Sequence, residues 1–536
     1  MSAEYVLAVD IGTTSAKTCV FKIGKSLKLV SSAQFDYPIR FLPNGGAEQN
    51  PDDWWKASCS GARKALAESG IPADAIGGMA FCCQMQSLVL VDKNGSAVRP
   101  SMSYMDQRAT EEKHRGIERG FAVEGMNVGK LLPSLAISGG VSASVKDPLW
   151  KYQWVRAHEP DAFSHAVKWL DVKEYLVGRC TGRFAMTPDS AFATMLFDSR
   201  PGKMVWSRKL CDIFDVDIDK MPEVVASTDI VGPLLPAAAE ELGLKAGTPV
   251  FGGGGDLSLI ALGSGAVNVN QAHIYMGTSG WVSACVDRRM VDIDARVASV
   301  LGAMPGRFNY MSEQETSGKC MEWVKDHLAL DEIGLYLGSH NVCDDPEAKF
   351  DSVFDFLAET VKQVKPGSEG IIFAPWFRGS RSPFEDPNVR GVFFNIGIDT
   401  GKRCMVRAVV EGLGLQTRWQ LEAIQKKVRT AGPIRFVGGG ARSMATTKIM
   451  ADIIGQRVET TESPQNAGAL GAAMLCARGL GAVSSFDEAA SLVPVVRVDE
   501  PDPTVRSVYD EHYEVLKQLY YRNRDLFGRL NRVEAV

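Results

Sequence analysis

Histidine is scarce in this chain, with seven among 536 residues, and no H-E-x-x-H pattern places two of them on one helix face. A resident zinc centre is therefore not expected. Long basic runs are absent too: 59 Lys and Arg stand against 64 Asp and Glu, a formal charge of −5, which speaks against nucleic acid or an anionic membrane as partner. No apolar run nears the roughly 18 residues of a membrane span, and the N-terminus lacks a basic, apolar and small-residue leader pattern. The expected compartment is the cytoplasm and the expected partner a small molecule. Cysteine offers no disulfide framework. The eleven are odd in number and scattered, and the adjacent Cys82 and Cys83 lack metal-ligand spacing, so most are expected as small buried hydrophobes.

What the chain does have is the composition of a folded globular protein, 45% apolar and 23% charged, with 52 glycines, at a length that calls for more than one core. Three β-like runs open it, Tyr5 to Val9, Thr18 to Ile23 and Leu29 to Phe35, with turns at Gly12 to Ala16 and Gly24 to Ser26, which reads as an antiparallel meander. "PDDWWKASCSGARKALAESG" follows as a helix closed by Gly70, then "IGGMAFCCQMQSLVLVD" as a strand. Helix and strand then alternate, an α/β pattern. "AHIYMGTSGWVSACV" repeats the strand, G-T turn and strand of "VLAVDIGTTSAKTCVF", a weak internal repeat that would set two similar turns face to face across a cleft. The boundary between the halves falls near Gly265, to within about fifteen residues. Near the C-terminus, Val508, Tyr509, His512, Tyr513, Leu516, Leu519 and Tyr520 form one apolar stripe; it packs on its own domain or else meets a second copy of the chain as a homodimer contact.

Three glycine-rich turns could carry chemistry. At Gly12 to Ser15, backbone N–H groups and hydroxyls suit phosphate oxygens, and Asp10 at the strand end could hold Mg²⁺ through water; the plain alternative is a capped hairpin. It is not a P-loop, because Gly12 is followed by Thr13, Thr14, Ser15, Ala16 and Lys17 with no second glycine. Four glycines precede Asp256 and could aim its carboxylate into open space as a base towards an alcohol, or else simply cap a helix. A third run, Gly438 to Gly440, could let a nucleoside lie on bare backbone, but Ala441 and Arg442 break the dinucleotide fingerprint, which disfavours nicotinamide chemistry.

In order and spacing these motifs resemble the FGGY carbohydrate kinases, most closely the xylulokinase branch. The resemblance rests on "DIGTTSAK", "EQNPDDWW", "CQMQSLVLVD", "YMDQR", "EYLVGRCTGRF", "DSAFATMLFD", "GGGGDLS", "MGTSG", "APWFRGSRSPFEDPNVRG", "GGGARS" and "NAGALGAA". It implies two actin-like, ribonuclease H-like α/β domains, residues 1–264 for the sugar and 265–536 for ATP, each a mixed five-stranded sheet flanked by helices, with a cleft between. By the same resemblance Asp256 is the catalytic base and Asp10 the Mg²⁺-associated aspartate. Gln84, Met85, Gln86, Asp106 and Arg108 join Asp256 at the sugar. Gly12, Thr13, Thr14 and Lys17, then Gly277, Thr278 and Ser279, then Gly439, Gly440, Ala441 and Ser443 take ATP. The implied activity is ATP-dependent phosphorylation of a ketopentose such as xylulose, or a related ketose or polyol. The chain departs from the branch at Gln86 (where it tends to have His), Ser87 (Gly), Leu257 (Asn), Tyr104 (Trp) and Ser380 (Glu), which leaves the particular sugar open. Two rivals stay in view: a chaperone- or filament-like ATPase serving a protein partner, and a sugar-sensing pseudokinase.

Overall fold

The computed structural model describes residues 4–329 and 353–531. The opening meander forms as β1 (Tyr5–Ile11), β2 (Ser15–Ile23) and β3 (Leu27–Asp36). Helix α1 (Pro51–Ser69) starts at Asn50, whose side chain accepts from Asp52 N–H, and stops at Gly70 in the left-handed region. It buries Trp54 and Trp55 against the sheet. The run expected as one strand from Ile76 to Asp92 is broken. β4 (Ile76–Cys83) ends where Gln86 takes φ 66, and Val89–Val91 pairs elsewhere, with Lys168–Leu170. A left-handed residue cannot continue a ladder, so the chain leaves the sheet beside the strand ends.

The first half is completed by α2 (Val172–Thr181), β5 (Ile230–Pro233), β6 (Pro249–Phe251) and α3 (Asp256–Gly263). Its sheet runs β5-β6-β4-β1-β2-β3, with Gly254–Gly255 also paired to β4. The second half supplies β7 (Ala272–Met276), β8 (Gly280–Val286), β9 (Val297–Leu301), β10 (Phe308–Gln314), α4 (Lys402–Gln425), β11 (Ile434–Val437), α5 (Met444–Ile454), β12 (Val458–Thr461), α6 (Ala467–Gly479), β13 (Val495–Asp499) and α7 (Arg506–Asn531). The second sheet runs β9-β10-β8-β7-β11-β12-β13, with Val291–Asp292 beyond β9. Each half thus has three antiparallel strands, β1-β2-β3 in the first and β7-β8-β10 in the second, whose first strand lies parallel to the next one in. The repeat seen in the sequence is this hairpin, β1–β2 and β7–β8. The five-strand core expected in each half is present but extended, to seven strands by β5 and Gly254–Gly255 and to eight by β13, β9 and Val291–Asp292; β5 and β13 add antiparallel to an outer strand and pair its open edge.

The halves meet on two small-residue helices, α3 and α6. A Cβ at Gly263 would lie 1.9 Å from Ala467 O, and one at Gly471 would lie 2.0 Å from Leu259 O, so only glycine permits this approach. Although late in sequence, α6 packs on the first sheet, where Ala469 to Ala477 share a core with Val6, Ala8 and Cys82. The terminal helix α7 docks on its own half: Tyr520 stacks on Phe384, Tyr509 OH donates to Glu411 at 2.9 Å, and Arg418 pairs with Asp510. Val508, expected in the buried stripe, is exposed. Of the ten described cysteines nine are buried and Cys59 is partly buried, all unpaired. No described helix is long and apolar enough to cross a membrane.

Candidate active site

Register brings the acidic groups together. Asp10 pairs with Cys82 across β1–β4, and Gly254 pairs with Cys82 from the other side. Two strand spacings, roughly 10 Å, separate the backbones of Asp10 and Gly254, and Asp256 follows two residues on at the start of α3. Parallel strand ends at a crossover are where α/β sheets open a crevice. Burial pushes the Asp256 carboxyl up to about 7; a hydrogen bond from Leu257 N–H (2.8 Å) opposes this, and the charge of Asp10 adds to the rise. Asp10 is also raised by burial, with Lys17 and the Cys82 thiol pulling the other way. The two carboxylates therefore share one region and feel each other.

Asp10 sits at the N-terminus of α6, where a Cβ on Gly468 would lie 2.9 Å from its Oδ2. Lys17, opposite Asp10 in the hairpin, donates to Gln465 O at 3.2 Å. The turn between β1 and β2 is closed by Gly12 N–H to Ser15 O at 2.9 Å. Side chains brace it from outside. Tyr37 OH donates to Gly12 O and Ser15 O, Gln49 Nε2 donates to Thr13 O at 2.8 Å, and the Thr13 and Tyr104 hydroxyls are 3.1 Å apart; Thr14 stays exposed.

From Gln49 a chain of amides fixes a polarity. Thr13 O can only accept, so Gln49 turns its oxygen to Gln84 Nε2, at 2.8 Å. Gln84 must then present Oε1 as an acceptor, and that atom is buried with no partner among the described residues. Met85 lies on Gly255, whose added Cβ would come 2.1 Å from Met85 Sδ, next to Asp256. Asp106 is wholly buried and takes Ala47 N–H at 2.8 Å and the Arg108 guanidinium at 2.8 Å. Arg108 also reaches Glu48, at 2.8 Å, and stacks over Trp154.

In the second half the turn Gly277 to Ser279 follows β7. Gly277 O accepts from Gly318 N–H at 2.7 Å and Thr278 O from Ser317 N–H at 3.1 Å, while the Thr278 and Ser279 side chains are exposed. The third glycine turn lies against it. Gly438, at φ 94, would set a Cβ 2.5 Å from Met276 O, so glycine is required there. Gly439 opens to solvent with nothing within 4 Å of its Cβ direction. Ala441, by contrast, is fully buried, and Ser443 caps α5 by accepting Thr446 N–H at 3.3 Å. The linking residue is Tyr275. Its hydroxyl lies against Gly277, its ring stacks on Trp281 at 4.1 Å, and its acidity is suppressed by burial and then by the charges of Asp10 and Asp256.

The sequence patterns of the FGGY family of carbohydrate kinases match this chain at residues 5–263 for the N-terminal domain and 272–480 for the C-terminal domain. The chain belongs to the FGGY family of carbohydrate kinases. It is 26% identical over 525 residues to the xylulose kinase of Bacillus subtilis, covering 98% of each. It is also 26% identical over 495 residues to the gluconokinase of the same organism, covering 91% of this chain and 90% of that one. In fold it resembles the ligand-bound xylulose kinase of Lactobacillus acidophilus, with a TM-score of 0.82 over 98% of this chain and 100% of that one, at 22% identity. This kinase therefore acts on a carbohydrate, and the protein-partner ATPase reading is not favoured.

Gln49 and Tyr275 are site residues that the sequence patterns do not single out. Both had a signal: Gln49 stands in "EQNPDDWW" just before the α1 cap, and Tyr275 stands two residues before Gly277 as Asp10 stands two before Gly12. Their reach across the fold could not be read from local pattern.

Proposed function

We propose that this kinase transfers the terminal phosphoryl group of ATP to a hydroxyl of a small neutral ketose or polyol, with a ketopentose such as xylulose as the leading candidate. The first half, residues 1–264, receives the sugar and the second, 265–536, the nucleotide. Asp256 accepts the hydroxyl proton: a carboxyl at about 7 is matched to exchanging a proton near neutral pH. Gln84 Oε1, Met85 and Gln86 contact the sugar, with Asp106 and Arg108 shaping the turn beside them. Backbone N–H groups of Thr13, Thr14, Thr278 and Ser279, in turns closed by the Gly12 and Gly277 N–H groups, together with Lys17, bear the phosphate charge. Gly439 and Gly440 offer bare backbone to the nucleoside, with Ala441 and Ser443 supporting that turn from behind.

Among the described residues no group of three His, Cys, Asp or Glu could hold a metal alone. The single hard carboxylate of Asp10 instead fits Mg²⁺ that keeps waters and phosphate oxygens as its other ligands. Bound there it would supply charge neutralisation at the β- and γ-phosphates.

The carrying observation is the union, at one set of strand ends, of Asp256, Asp10 and the orphaned buried acceptor Gln84 Oε1. An unmatched buried acceptor calls for a donor, which a sugar hydroxyl provides. A neutral ligand is favoured over a sugar acid because two cations near this turn are committed, Arg108 to Asp106 and Glu48 and buried Lys151 to Gln86 O and the charges of Asp106, Asp171 and Asp147. A coupled assay over xylulose, other pentuloses, hexuloses, pentitols, glycerol and gluconate tests this. Turnover is expected with a neutral ketose or polyol, and Asp256→Asn is expected to keep ATP binding while losing about 10²–10⁴-fold in kcat. ATP hydrolysis indifferent to every sugar would overturn the reading, as would near-normal turnover in Asp256→Asn.

A further inference from the structure

The sugar turn and the loop carrying the base are separate segments, yet both are tied to the first turn of α2. Gln86 keeps a left-handed backbone, which a non-glycine residue holds only when its surroundings fix it. Asp171 fixes it from one side, its Oδ2 accepting Gln86 N–H at 2.7 Å and its Oδ1 accepting Ser87 N–H at 3.0 Å. Lys151 Nζ fixes it from the other, donating to Gln86 O at 2.7 Å. Asp171 is also the N-cap of α2, accepting Val172 N–H at 2.8 Å.

Two residues further on, Lys173 Nζ donates to Gly252 O at 3.1 Å and to Thr187 Oγ1 at 2.9 Å. The Thr187 hydroxyl in turn donates to Asp189 Oδ1, and Asp189 Oδ2 accepts Gly255 N–H at 2.9 Å. Both ends of the glycine run before Asp256 are thereby bound to Lys173. Lys173 also pairs with Glu174. Asp171, Lys173 and Asp189 are 7%, 2% and 0% exposed, so these bonds are shielded from water and hold geometry firmly.

We propose that Asp171 and Lys173 are positioning residues of the phosphoryl transfer: one buried helix turn holds the sugar turn through Asp171 and the base loop through Lys173, fixing the acceptor hydroxyl relative to Asp256. This rests on the reading of Gln86 as a sugar contact and Asp256 as the base. In-line transfer depends steeply on such alignment. A rigid common anchor keeps the two loops in register with each other.

The test compares steady-state constants of full-length variants, with xylulose or the acceptor selected by the screen above, alongside melting temperature and ATP affinity. Asp171→Asn is expected to raise the sugar KM about tenfold or more while kcat and the ATP KM move little. Lys173→Met is expected to lower kcat on the order of a hundredfold with a much smaller change in sugar KM. Parallel changes of both constants in both variants, or lowered melting temperatures with wild-type constants, would mean an ordinary core role and overturn the proposal. If Asp171→Asn does not fold, Lys151→Met acts on the same turn through Gln86 O, and a wild-type sugar KM there overturns it equally. Gln86→Ala separates the two levels. A raised sugar KM in Gln86→Ala with none in Asp171→Asn defeats this inference alone, whereas an unchanged KM in Gln86→Ala defeats the sugar-contact reading beneath it.

Discussion

The turn at Gly12–Ser15 and the turn at Gly277–Ser279 stand at matching places in two matching sheets, but they are held differently. The first is braced by side chains from three other segments, Tyr37, Gln49 and Tyr104. The second is held by backbone N–H groups of Ser317 and Gly318, with its hydroxyls exposed. The residue two before each glycine also differs. Asp10 brings a carboxylate from the first half, and Tyr275 meets it from the second with a phenol that stays neutral. The repeat thus supplies two turns of one shape, one preceded by a carboxylate and the other by a phenol, and the second half's own acids in this region, Glu313 and Glu315, pair with Arg381.

The sharpest way to break this comparison is to remove its charge. Asp10→Asn is expected to lower kcat about a hundredfold or more and to raise the Mg²⁺ concentration needed for turnover. It has a second effect, whose sign is fixed. The Asp256 carboxyl lies at about 7, raised from 3.8 in part by Asp10, and only its ionised form accepts a proton, so wild-type kcat/KM falls as pH drops through about 7. Without the Asp10 charge that limb moves to lower pH. Tyr275→Phe removes a neutral hydroxyl and leaves the limb in place. A pH–rate profile of the three enzymes checks this; an unmoved limb in Asp10→Asn would mean the two carboxylates do not couple. The same raised value predicts that Asp256 favours the fold most when protonated, and that this contribution is lost as pH rises from about 4 through about 7. Asp256→Asn is accordingly expected to melt a few degrees above wild type at pH 8, with the gap closing towards pH 4.

A smaller effect comes from the seam between the halves. In a helix interior Ala is favoured over Gly by about 1 kcal/mol, but at Gly471 the new Cβ would meet the Leu259 carbonyl, a backbone atom, at 2.0 Å. Backbone cannot swing aside, so the clash outweighs the propensity gain and Gly471→Ala is expected to lose about 1–3 kcal/mol. Denaturant melts measure it. Unchanged stability would show that α3 and α6 can separate freely.

How much of this was legible depended on the range of the interaction. The strand, turn and strand of each half, the α1 start at Asn50 and stop at Gly70, and the apolar stripe of α7 are set by neighbours within a few residues, and pattern alone reveals them. The break after Cys83 is different: an apolar run reads as one strand, and the turn that interrupts it is held by Asp171 and Lys151, 85 and 65 positions from Gln86. The extra edge strands are illegible for a like reason, since β5 is four residues ending in Gly-Pro and β13 is interrupted by Arg497 and ends at Asp499, and both become strands by pairing with an existing edge. The acidic pair was found from position, Asp10 and Asp256 each at a strand end. The amide chain from Thr13 through Gln49 to Gln84 joins three segments, and no spacing rule connects them.

The finest test of the comparison is the bracing itself. Tyr37 is 7% exposed, and its hydroxyl serves Gly12 O and Ser15 O. Tyr37→Phe keeps the ring and strips that hydrogen, leaving a half-buried carbonyl to find another donor, at an expected loss of about 1 kcal/mol in stability. Thr278→Ala deletes an exposed hydroxyl and is expected to change stability by less than about 0.5 kcal/mol. Kinetics should reverse the order, because a turn that is open in the free protein has its hydroxyls available to the phosphates: the ATP KM is expected to rise more in Thr278→Ala than in Tyr37→Phe. Thermal melts and ATP titrations of the two variants decide it, and a larger melting change in Thr278→Ala would mean that the second turn is braced after all.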